Sequence, residues 1–277
     1  MTDYKASKRI IGTSAERLAT VEETPTYSTD FSSNTNWTEV GSGNVTIDQS
    51  NSRLQYNCDH SGDDDAVVYD LQTTLGSGNN ASDTAWIIRY KVNMSGSNAP
   101  SWYAMPYLSS VSIPMDTSST ADQIGVSAGE TSGGTGGAYL NIRYGDGVTP
   151  YNATSGGNTS SAMSNSTDYY ITMKRYEGTK FTLEVRTGSH TGDHALGSPI
   201  STTSIPSTLQ GLRYLYFRDN NGSTHTRYMN SYIYDLEFYN NITSITKTAN
   251  IQTNSIWEES DTGKHYIWSG SAWTEVA

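Results

Sequence analysis

The sequence predicts an all-β fold, an antiparallel β-sandwich, and three observations support this prediction. Short apolar runs recur along the chain, and turn clusters separate them at roughly the 8–12-residue spacing of sandwiches and barrels. Phe181, Leu183 and Val185 alternate with polar residues, which is the pattern of a half-buried antiparallel strand. Ser and Thr make up 74 of the 277 residues. Because both residue types favour turns, caps and strands, long helices are not expected.

The first 24 residues are predicted to form an N-terminal arm that becomes ordered only by docking on another surface. The arm carries a basic cluster, Lys5, Lys8 and Arg9, ahead of one passable helical stretch at residues 14–19. Pro25 then marks a change in composition. We therefore expect the arm to contact an acidic partner surface.

Short strands are predicted early in the body of the chain, at residues 44–48, 53–57 and 66–71. A longer strand follows at residues 84–92, where every second residue from Trp86 to Val92 is apolar or aromatic. These runs supply the first strands of the predicted sandwich.

Residues 95–166 are rich in glycine and loops, with strands predicted only at 138–144 and near 124–126. Loops of this kind either carry function on a rigid scaffold or are variable insertions, and both interpretations are open. A hairpin follows, in which a strand at 169–175 turns at Glu177-Gly178 into a strand at 181–186.

Strands at residues 212–218 and 231–239 complete the predicted sandwich. Three further runs at 255–260, 264–268 and 272–276 predict a small C-terminal meander, which would be marginally stable alone. One apolar face of this meander can hold three tryptophans, Trp257, Trp268 and Trp273. The predicted organisation is an arm at 1–24, a sandwich domain at 25–242 and a meander at 243–277, with the basic cluster and the three tryptophans as assembly contacts.

Charge and cysteine content exclude several classes of function. Lys and Arg number 17 against 28 Asp and Glu, which gives a formal charge of −11 and argues against nucleic-acid binding. No window approaches the ~20 apolar residues of a membrane span, and the N-terminus shows no apolar core of a secretory signal. With Cys58 as the single cysteine, no intrachain disulfide is expected.

Four parts of the body carry the pattern of a known family: Asp30-Phe31-Ser32 with Trp37 and Leu54, the strand Ala85 to Tyr90, the hairpin Tyr170 to Val185, and the closing strand Ser231 to Tyr239. Together they resemble a concanavalin A-like lectin/glucanase domain of the laminin-G type, over about residues 27–242. The resemblance implies a jelly roll of two antiparallel sheets.

The flanks carry a second resemblance. Tyr4 to Thr13 and Ile251 to Lys264 are similar to segments that bracket lectin-like domains in predicted structural proteins of marine viruses and phages, including those of archaeal hosts. This resemblance implies a location on a virion, with other virion proteins or further copies of this chain as partners.

Glycoside hydrolysis is disfavoured by the carboxylates. The glucanase branch of this family needs two catalytic carboxylates and carries Glu, Asp and Glu at alternating positions of one strand. The nearest candidates, Asp235 and Glu237, lack the third member. His190 and His194 lie among glycines, which deny the helix that would align a metal pair. The chain is therefore predicted not to be an enzyme.

Calcium is the ion that the sequence favours. Asp63, Asp64 and Asp65 lie on a glycine-hinged turn before a strand, and Asp219 could add a further oxygen. Ca²⁺ takes six to eight oxygen ligands from such loops, and many laminin-G-type domains hold calcium at a sandwich rim. A solvated acidic turn is the other interpretation.

Carbohydrate recognition would depend on aromatic side chains. The chain has 20 Tyr and 6 Trp against 4 Phe, a bias towards rings with a polar group. The candidate sugar-binding residues are Trp102, Tyr103, Tyr107, Tyr144 and Tyr151. Three interpretations of them are open: a stacking platform for a pyranose, a subunit interface, or part of the sandwich core.

The leading hypothesis from the sequence is a non-enzymatic structural protein of a viral particle, at its surface, in its tail or decorating its capsid. The alternative is a carbohydrate-binding module or host-attachment lectin, for which a polysaccharide would be the partner. A glycoside hydrolase is less favoured.

Overall fold

The computed structural model describes residues 9–12, 24–41, 43–58, 65–98, 103–112, 121–129, 139–146, 152–158, 163–195, 200–219, 228–243, 245, 254–269 and 273–276. Within these ranges the chain forms strands, one short helix, α1 (Gln72–Leu75), and a 3-10 turn at Gln49–Asn51. No helix in the described part is long and apolar enough to cross a membrane.

The strands in the first half of the chain are β1 (Arg9–Gly12), β2 (Tyr27–Thr29), β3 (Trp37–Val40), β4 (Val45–Asp48), β5 (Arg53–Cys58), β6 (Ala66–Asp70), β7 (Trp86–Asn98), β8 (Tyr103–Ser109) and β9 (Asp122–Gly129). Those in the second half are β10 (Tyr139–Asp146), β11 (Asn152–Asn158), β12 (Asp168–Tyr176), β13 (Lys180–Arg186), β14 (Ile200–Ser204), β15 (Tyr214–Arg218), β16 (Tyr228–Asn240), β17 (Ile256–Glu259), β18 (His265–Trp268) and β19 (Trp273–Val276).

The chain divides into two compact units. One is Pro25–Thr243, and the other combines Met1–Thr24 with Ser244–Ala277. In the second unit β1 pairs in parallel with β17, and the sheet continues through β18 to β19. Where the sequence suggested an arm and a separate meander, the two ends of the chain thus share one four-stranded sheet.

The Pro25–Thr243 unit is a sandwich of two sheets. The seven-stranded sheet has the order β11-β10-β9-β8-β15-β6-β3, and the eight-stranded sheet has the order β14-β13-β12-β7-β16-β5-β4, with β2 paired to β16. The pairs within both sheets are antiparallel, and apolar side chains from both sheets form one core between them. The predicted all-β antiparallel sandwich is confirmed.

The predicted hairpin is also confirmed, as β12 and β13. Ile171, Met173, Leu183 and Val185 point into the core because every second residue of each strand is apolar. The turn between the strands has positive φ angles of 51° at Glu177 and 70° at its glycine, the backbone geometry that tight turns use.

Two tyrosines of the eight-stranded sheet cross the core to β8. The hydroxyls of Tyr56 and Tyr90 donate to the carbonyl oxygens of Ala104 and Met105, respectively. Burial raises the pKa of Tyr90 well above its ordinary value, so the hydroxyl stays a donor. These bonds fix β8 at the place where its pairing with β9 is irregular.

Arg175 is a fully buried cation at one end of the sandwich. Its Nε and one terminal nitrogen donate to the Gly178 carbonyl at 3.0 and 2.8 Å, and that nitrogen also donates to the Leu209 carbonyl at 2.9 Å. Burial lowers the pKa of Arg175, against the opposing effect of Asp83 and Asp122. Arg175 thereby ties the β12–β13 turn to the segment that precedes β15.

Candidate functional site

The two faces of the seven-stranded sheet differ in chemistry. One face packs into the main core, and the other carries a separate small apolar cluster together with a set of polar side chains. We call this second side the polar face, and it comprises Tyr107, Gln123, Gly125, Ser127, Asn141, Arg143, Tyr214, Tyr216 and Arg218. Alternation along β8, β9, β10 and β15 places these residues opposite the core-facing ones.

One row of the polar face crosses four strands. Arg143 of β10 lies opposite Gly125 of β9, which lies opposite Tyr107 of β8, which in turn pairs with Tyr216 of β15. Neighbouring strands are about 4.8 Å apart, so the row spans about 14 Å. It places a guanidinium at one end and two phenols at the other.

A second row runs parallel to the first. Asn141 of β10 lies opposite Ser127 of β9, which lies opposite Ala104, which pairs with Arg218 of β15. This row ends in a guanidinium on the side where the first row ends in tyrosine. The polar face therefore holds one arginine on β10 and another on β15.

Gly125 makes room for the backbone of β8 and for the ring of Tyr107. A Cβ atom at this position would clash with the backbone carbonyl oxygen of Pro106 and would lie 2.6 Å from both Cα and Cδ1 of Tyr107, which is closer than side chains approach. The Tyr107 ring therefore leans over the glycine, and it stacks on Tyr216 with centroids 5.7 Å apart and planes at 16°. A glycine is required here for close packing.

Gln123 lies on the polar face near the start of β9 and is fully buried. Its Oε1 accepts a hydrogen bond of 3.1 Å from the Tyr216 hydroxyl. Its Nε2 is buried without a hydrogen-bond partner among the described residues. Leaving such a donor unpaired costs about 1–3 kcal/mol, and a native protein that keeps one calls for an explanation such as a ligand.

Among the residues that the structure describes, the edge of the polar face carries one carboxylate, and that carboxylate is paired with an arginine. Asp70 of β6 accepts two hydrogen bonds from Arg213, at 3.0 and 2.6 Å. These bonds lower the pKa of Asp70, which keeps it ionised. Arg213 also lies over the half-buried ring of Tyr214, 4.8 Å from its centroid.

The predicted sugar-binding tyrosines do not share one surface. Tyr107 lies on the polar face, but its ring is wholly buried in the stack. Tyr144 is half-buried and packs against the main core. Tyr103 lies in β8 but its side chain falls outside the described residues, and Trp102 and Tyr151 lie outside them altogether.

Two of the four predicted calcium ligands come together. Asp65 and Asp219 are buried neighbours, and the Asp219 N–H donates to the Asp65 carbonyl at 2.9 Å. Oδ2 of Asp65 accepts a 2.6 Å bond from the Asn44 N–H. The described residues contain no group of three or more His, Cys, Asp or Glu that could hold a metal ion, so these two carboxylates alone do not make a calcium site. Asp63 and Asp64 lie outside the described residues.

The candidate carboxylate pair on β16 is separated by a β-bulge. The register shifts between Tyr234 and Glu237, and Asp235 is exposed with a φ of 52°. Glu237 accepts a 2.8 Å hydrogen bond from the Tyr239 hydroxyl. Both carboxylates belong to the eight-stranded sheet, away from the polar face.

The predicted assembly tryptophans pack on one another. Trp273 lies 5.8 Å from Trp257 and 5.2 Å from Trp268 between ring centroids. Trp257 and Trp268 are buried. The basic residues Lys5 and Lys8, which are predicted assembly contacts, lie outside the described residues. Arg9 lies in β1, but its side chain is also outside them.

The sequence analysis missed the polar residues of this face. Gln123, Arg143 and Arg218 each follow the alternation of an apolar strand, which is the signal that could have found them. On a single strand, this alternation indicates ordinary solvent exposure. The neighbouring strands must be known before it indicates a polar cluster.

Comparisons with known proteins identify the fold of the sandwich. No family model matches the chain, and no curated protein matches it. The CBM2 module of the evolved Dit protein of Lactobacillus casei BL23 phage J-1 is similar with a TM-score of 0.53 and 10% identity, over 81% of this chain and 99% of that chain. The exoplasmic/lumenal domain of VIP36, solved with Ca²⁺ and Man3GlcNAc, has a TM-score of 0.51 and 10% identity, over 76% of this chain and 86% of that chain.

The sandwich has a concanavalin A-like fold. The expected jelly roll is thereby confirmed. At 10% identity these likenesses concern the fold alone. An alginate lyase, Aly36B, is also similar over 73% of this chain and 87% of that chain, with a TM-score of 0.49 and 12% identity.

Proposed function

We propose that this chain is a non-catalytic carbohydrate-binding protein of a viral particle, and that its glycan binds on the polar face. The observation that carries the proposal is the buried Gln123 amide, whose Nε2 has no partner among the described residues. A site that binds sugar hydroxyls needs fixed donors and acceptors of this kind beside aromatic rings. The likeness to a carbohydrate-binding module of a phage protein supports both parts of the proposal.

The members of the polar face differ in how a ligand reaches them. Asn141, Arg143 and Arg218 keep 5%, 7% and 6% of their surface exposed, and Tyr214 is half-buried. A glycan therefore meets these four side chains first. Gln123 is fully buried, so contact with its amide requires neighbouring side chains to shift on binding, as is common at interfaces.

The carboxylates support a binding role over hydrolysis. A glycosidase of this kind needs two carboxyl groups across the scissile bond, one of them protonated. Among the described side chains of the polar face and its edge, the carboxylate is Asp70, which is held ionised by Arg213. A single ionised carboxylate cannot supply both roles.

The terminal unit supports attachment to a particle. Its four-stranded sheet packs tryptophans on one face, and alternation places Ile11, Ile256 and Val276 on the other, where they are 64%, 39% and 36% exposed. Large exposed apolar side chains on a small sheet favour contact with another protein.

Mass photometry of the full chain should show oligomers, and the double variant Ile11→Asp/Ile256→Asp should be monomeric. A wild-type chain that is monomeric at all concentrations would contradict self-assembly.

Binding can be tested with two matched tyrosines. Tyr214 and Tyr232 are both half-buried strand residues beneath an arginine, but Tyr232 lies on the outer face of the eight-stranded sheet. On a glycan array, Tyr214→Ala should weaken binding by tenfold or more, about the 1.4 kcal/mol of one lost ring contact, and Tyr232→Ala should leave it unchanged.

Two results would overturn the proposal. If the full chain binds no glycan, or if both tyrosine variants behave alike, the polar face is not a carbohydrate site. If new reducing ends accumulate when the chain is incubated with a polysaccharide it binds, the non-catalytic part is wrong.

Calcium stays a separate prediction. Its ligands would be Asp63, Asp64, Asp65 and Asp219, and the VIP36 domain was solved in a Ca²⁺-bound form. Calorimetric titration of the full chain with calcium chloride should show binding heat and a higher melting temperature. No heat and no melting shift at millimolar calcium would contradict the prediction.

A further inference from the structure

We propose that the polar face binds a neutral glycan through one free sugar hydroxyl, which lies over Gly145 and accepts a hydrogen bond from the Nε2 of Gln123. The inference rests on the proposed function. It adds the sugar group that the site recognises and the glycine that admits this group.

The residues concerned form a third row at the rim of the seven-stranded sheet. Tyr214 of β15 pairs with Ser109 of β8, which lies opposite Gln123 of β9, which lies opposite Gly145 of β10. Each of them stands at the end of its strand or one residue from it. Directly opposite residues of antiparallel strands share a face, so this row belongs to the polar face. We call these four residues the rim row.

The rim row leads from an accessible ring to a buried amide. Tyr214 is half-buried, whereas Ser109, Gln123 and Gly145 are buried. Neighbouring strands are about 4.8 Å apart, so Gln123 lies two strand spacings, about 10 Å, from Tyr214. A glycan that contacts the Tyr214 ring can therefore reach the Gln123 amide along the row.

The missing side chain of Gly145 leaves room beside this amide. A Cβ atom built on Gly145 would lie 3.5 Å from Cγ and 3.6 Å from Nε2 of Gln123, and 3.5 Å from the carbonyl oxygen of Ala121. These are ordinary van der Waals distances, so a group of one heavy atom fits here without displacing its neighbours. A methyl group and a hydroxyl group both have this size.

The polar atoms around this space select a hydroxyl. Nε2 of Gln123 is a buried donor with no hydrogen-bond partner among the described residues. The Ala121 carbonyl is an acceptor with two lone pairs. A hydroxyl can accept from Nε2 and donate to the carbonyl. A carboxylate or a sulfate accepts without donating, so its oxygen would meet the carbonyl oxygen unfavourably.

Filling the space with a methyl group tests the subsite. The φ of Gly145 lies outside the left-handed region and its Cβ would make ordinary contacts, so Gly145→Ala should not lower the urea midpoint. Binding should weaken by about tenfold or more, because the methyl group occupies the place of the hydroxyl. Gly125→Ala is the matched control for the fold. It adds the same methyl group 2.6 Å from Cα of Tyr107, so its urea midpoint should fall. Unchanged binding in Gly145→Ala would overturn the inference.

A serine at the same position supplies the hydroxyl from the chain itself. In Gly145→Ser, Oγ can accept from Nε2 of Gln123, so this variant should unfold at a higher urea concentration than Gly145→Ala. In a Gln123→Met background the two variants should unfold at the same concentration, because the donor is gone. This comparison needs no glycan. Equal urea midpoints in the background that keeps Gln123 would contradict a hydroxyl subsite.

Polymers of different charge test the ligand class. Biolayer interferometry measures binding of the full chain to dextran, laminarin and galactomannan as neutral probes, and to polygalacturonate and dextran sulfate as anionic probes. Sodium chloride at about 0.5 M screens the repulsion between a polyanion and the formal charge of −11. We expect about tenfold or tighter binding to one neutral polymer than to either anionic one. The opposite preference would overturn the neutral ligand.

The outcomes separate this inference from the proposed function. Binding that is lost in Tyr214→Ala and unchanged in Gly145→Ala would overturn the hydroxyl subsite and leave carbohydrate binding in place. If no polymer binds the wild-type chain, the proposed function fails, and this inference fails with it.

Discussion

Replacement of Gln123 by Met should weaken glycan binding without destabilising the sandwich. The variant removes a buried Nε2 that has no hydrogen-bond partner among the described residues, and burial of such a donor costs about 1–3 kcal/mol. It also removes the 3.1 Å hydrogen bond from Tyr216, which contributes about 0.5–1.5 kcal/mol. Met is flexible and similar in length, so it fills the same space. The free energy of unfolding should stay the same or rise by up to about 2 kcal/mol.

The assay is urea unfolding followed by tryptophan fluorescence, with binding of the same preparation measured in parallel. In a thermal melt of the same variant, each additional kcal/mol of unfolding free energy corresponds to a rise in melting temperature of about 2–4 °C for a domain of this size. Arg175→Met is the matched control, because it also replaces a buried polar side chain by Met.

The control should behave in the opposite way. Arg175 donates three hydrogen bonds to carbonyl oxygens, and their loss should destabilise the chain by at least about 2 kcal/mol. If Gln123→Met destabilises the chain as much as Arg175→Met and binding is intact, Gln123 has a structural role and the reasoning fails.

Two further predictions concern packing and pH. Gly125→Ala should force apart the backbones of β9 and β8 at Pro106 and Tyr107 and destabilise the chain by about 1–3 kcal/mol, and an unchanged urea midpoint would contradict the packing. Burial, with the nearby Arg89 and Arg186, lowers the pKa of His190 to about 4. Since the unfolded state takes up this proton near pH 6.5, stability should fall by up to about 3 kcal/mol as pH drops from about 6.5 to about 4. His190→Gln should lose this part of the pH dependence, and identical urea midpoints against pH in both proteins would refute it.

Local features of the fold could be predicted from the sequence. The β12–β13 hairpin follows from apolar alternation on both sides of Glu177 and Gly178, and every contact that defines it is near in the chain. The fold class follows in the same way, because the recurrence of short strands and turns does not depend on which strands pair.

The polar face could not be predicted, because it depends on pairing between distant strands. Tyr216 of β15 meets Tyr107 of β8, and Arg143 of β10 completes their row across Gly125. No periodicity within one strand shows that β15 inserts between β8 and β6. Alternating polar residues on one strand predict a solvated face, whereas Gln123, Asn141 and Arg143 are buried in the structure.

The position of Tyr107 also depends on a local irregularity. The pairing of β8 with β9 shifts register between Ala104 and Tyr107, so these two residues share the polar face although three positions separate them. Strict period-2 counting would place them on opposite faces. The parallel pairing of β1 with β17 is similarly invisible, because it joins the two ends of the chain.

The most direct test is a crystal structure of the full chain with an oligosaccharide of its tightest-binding polymer. We predict that the sugar lies on the polar face, with the Gln123 Nε2 bonded to the ligand. A sugar bound on the outer face of the eight-stranded sheet, with the polar face unchanged, would contradict this.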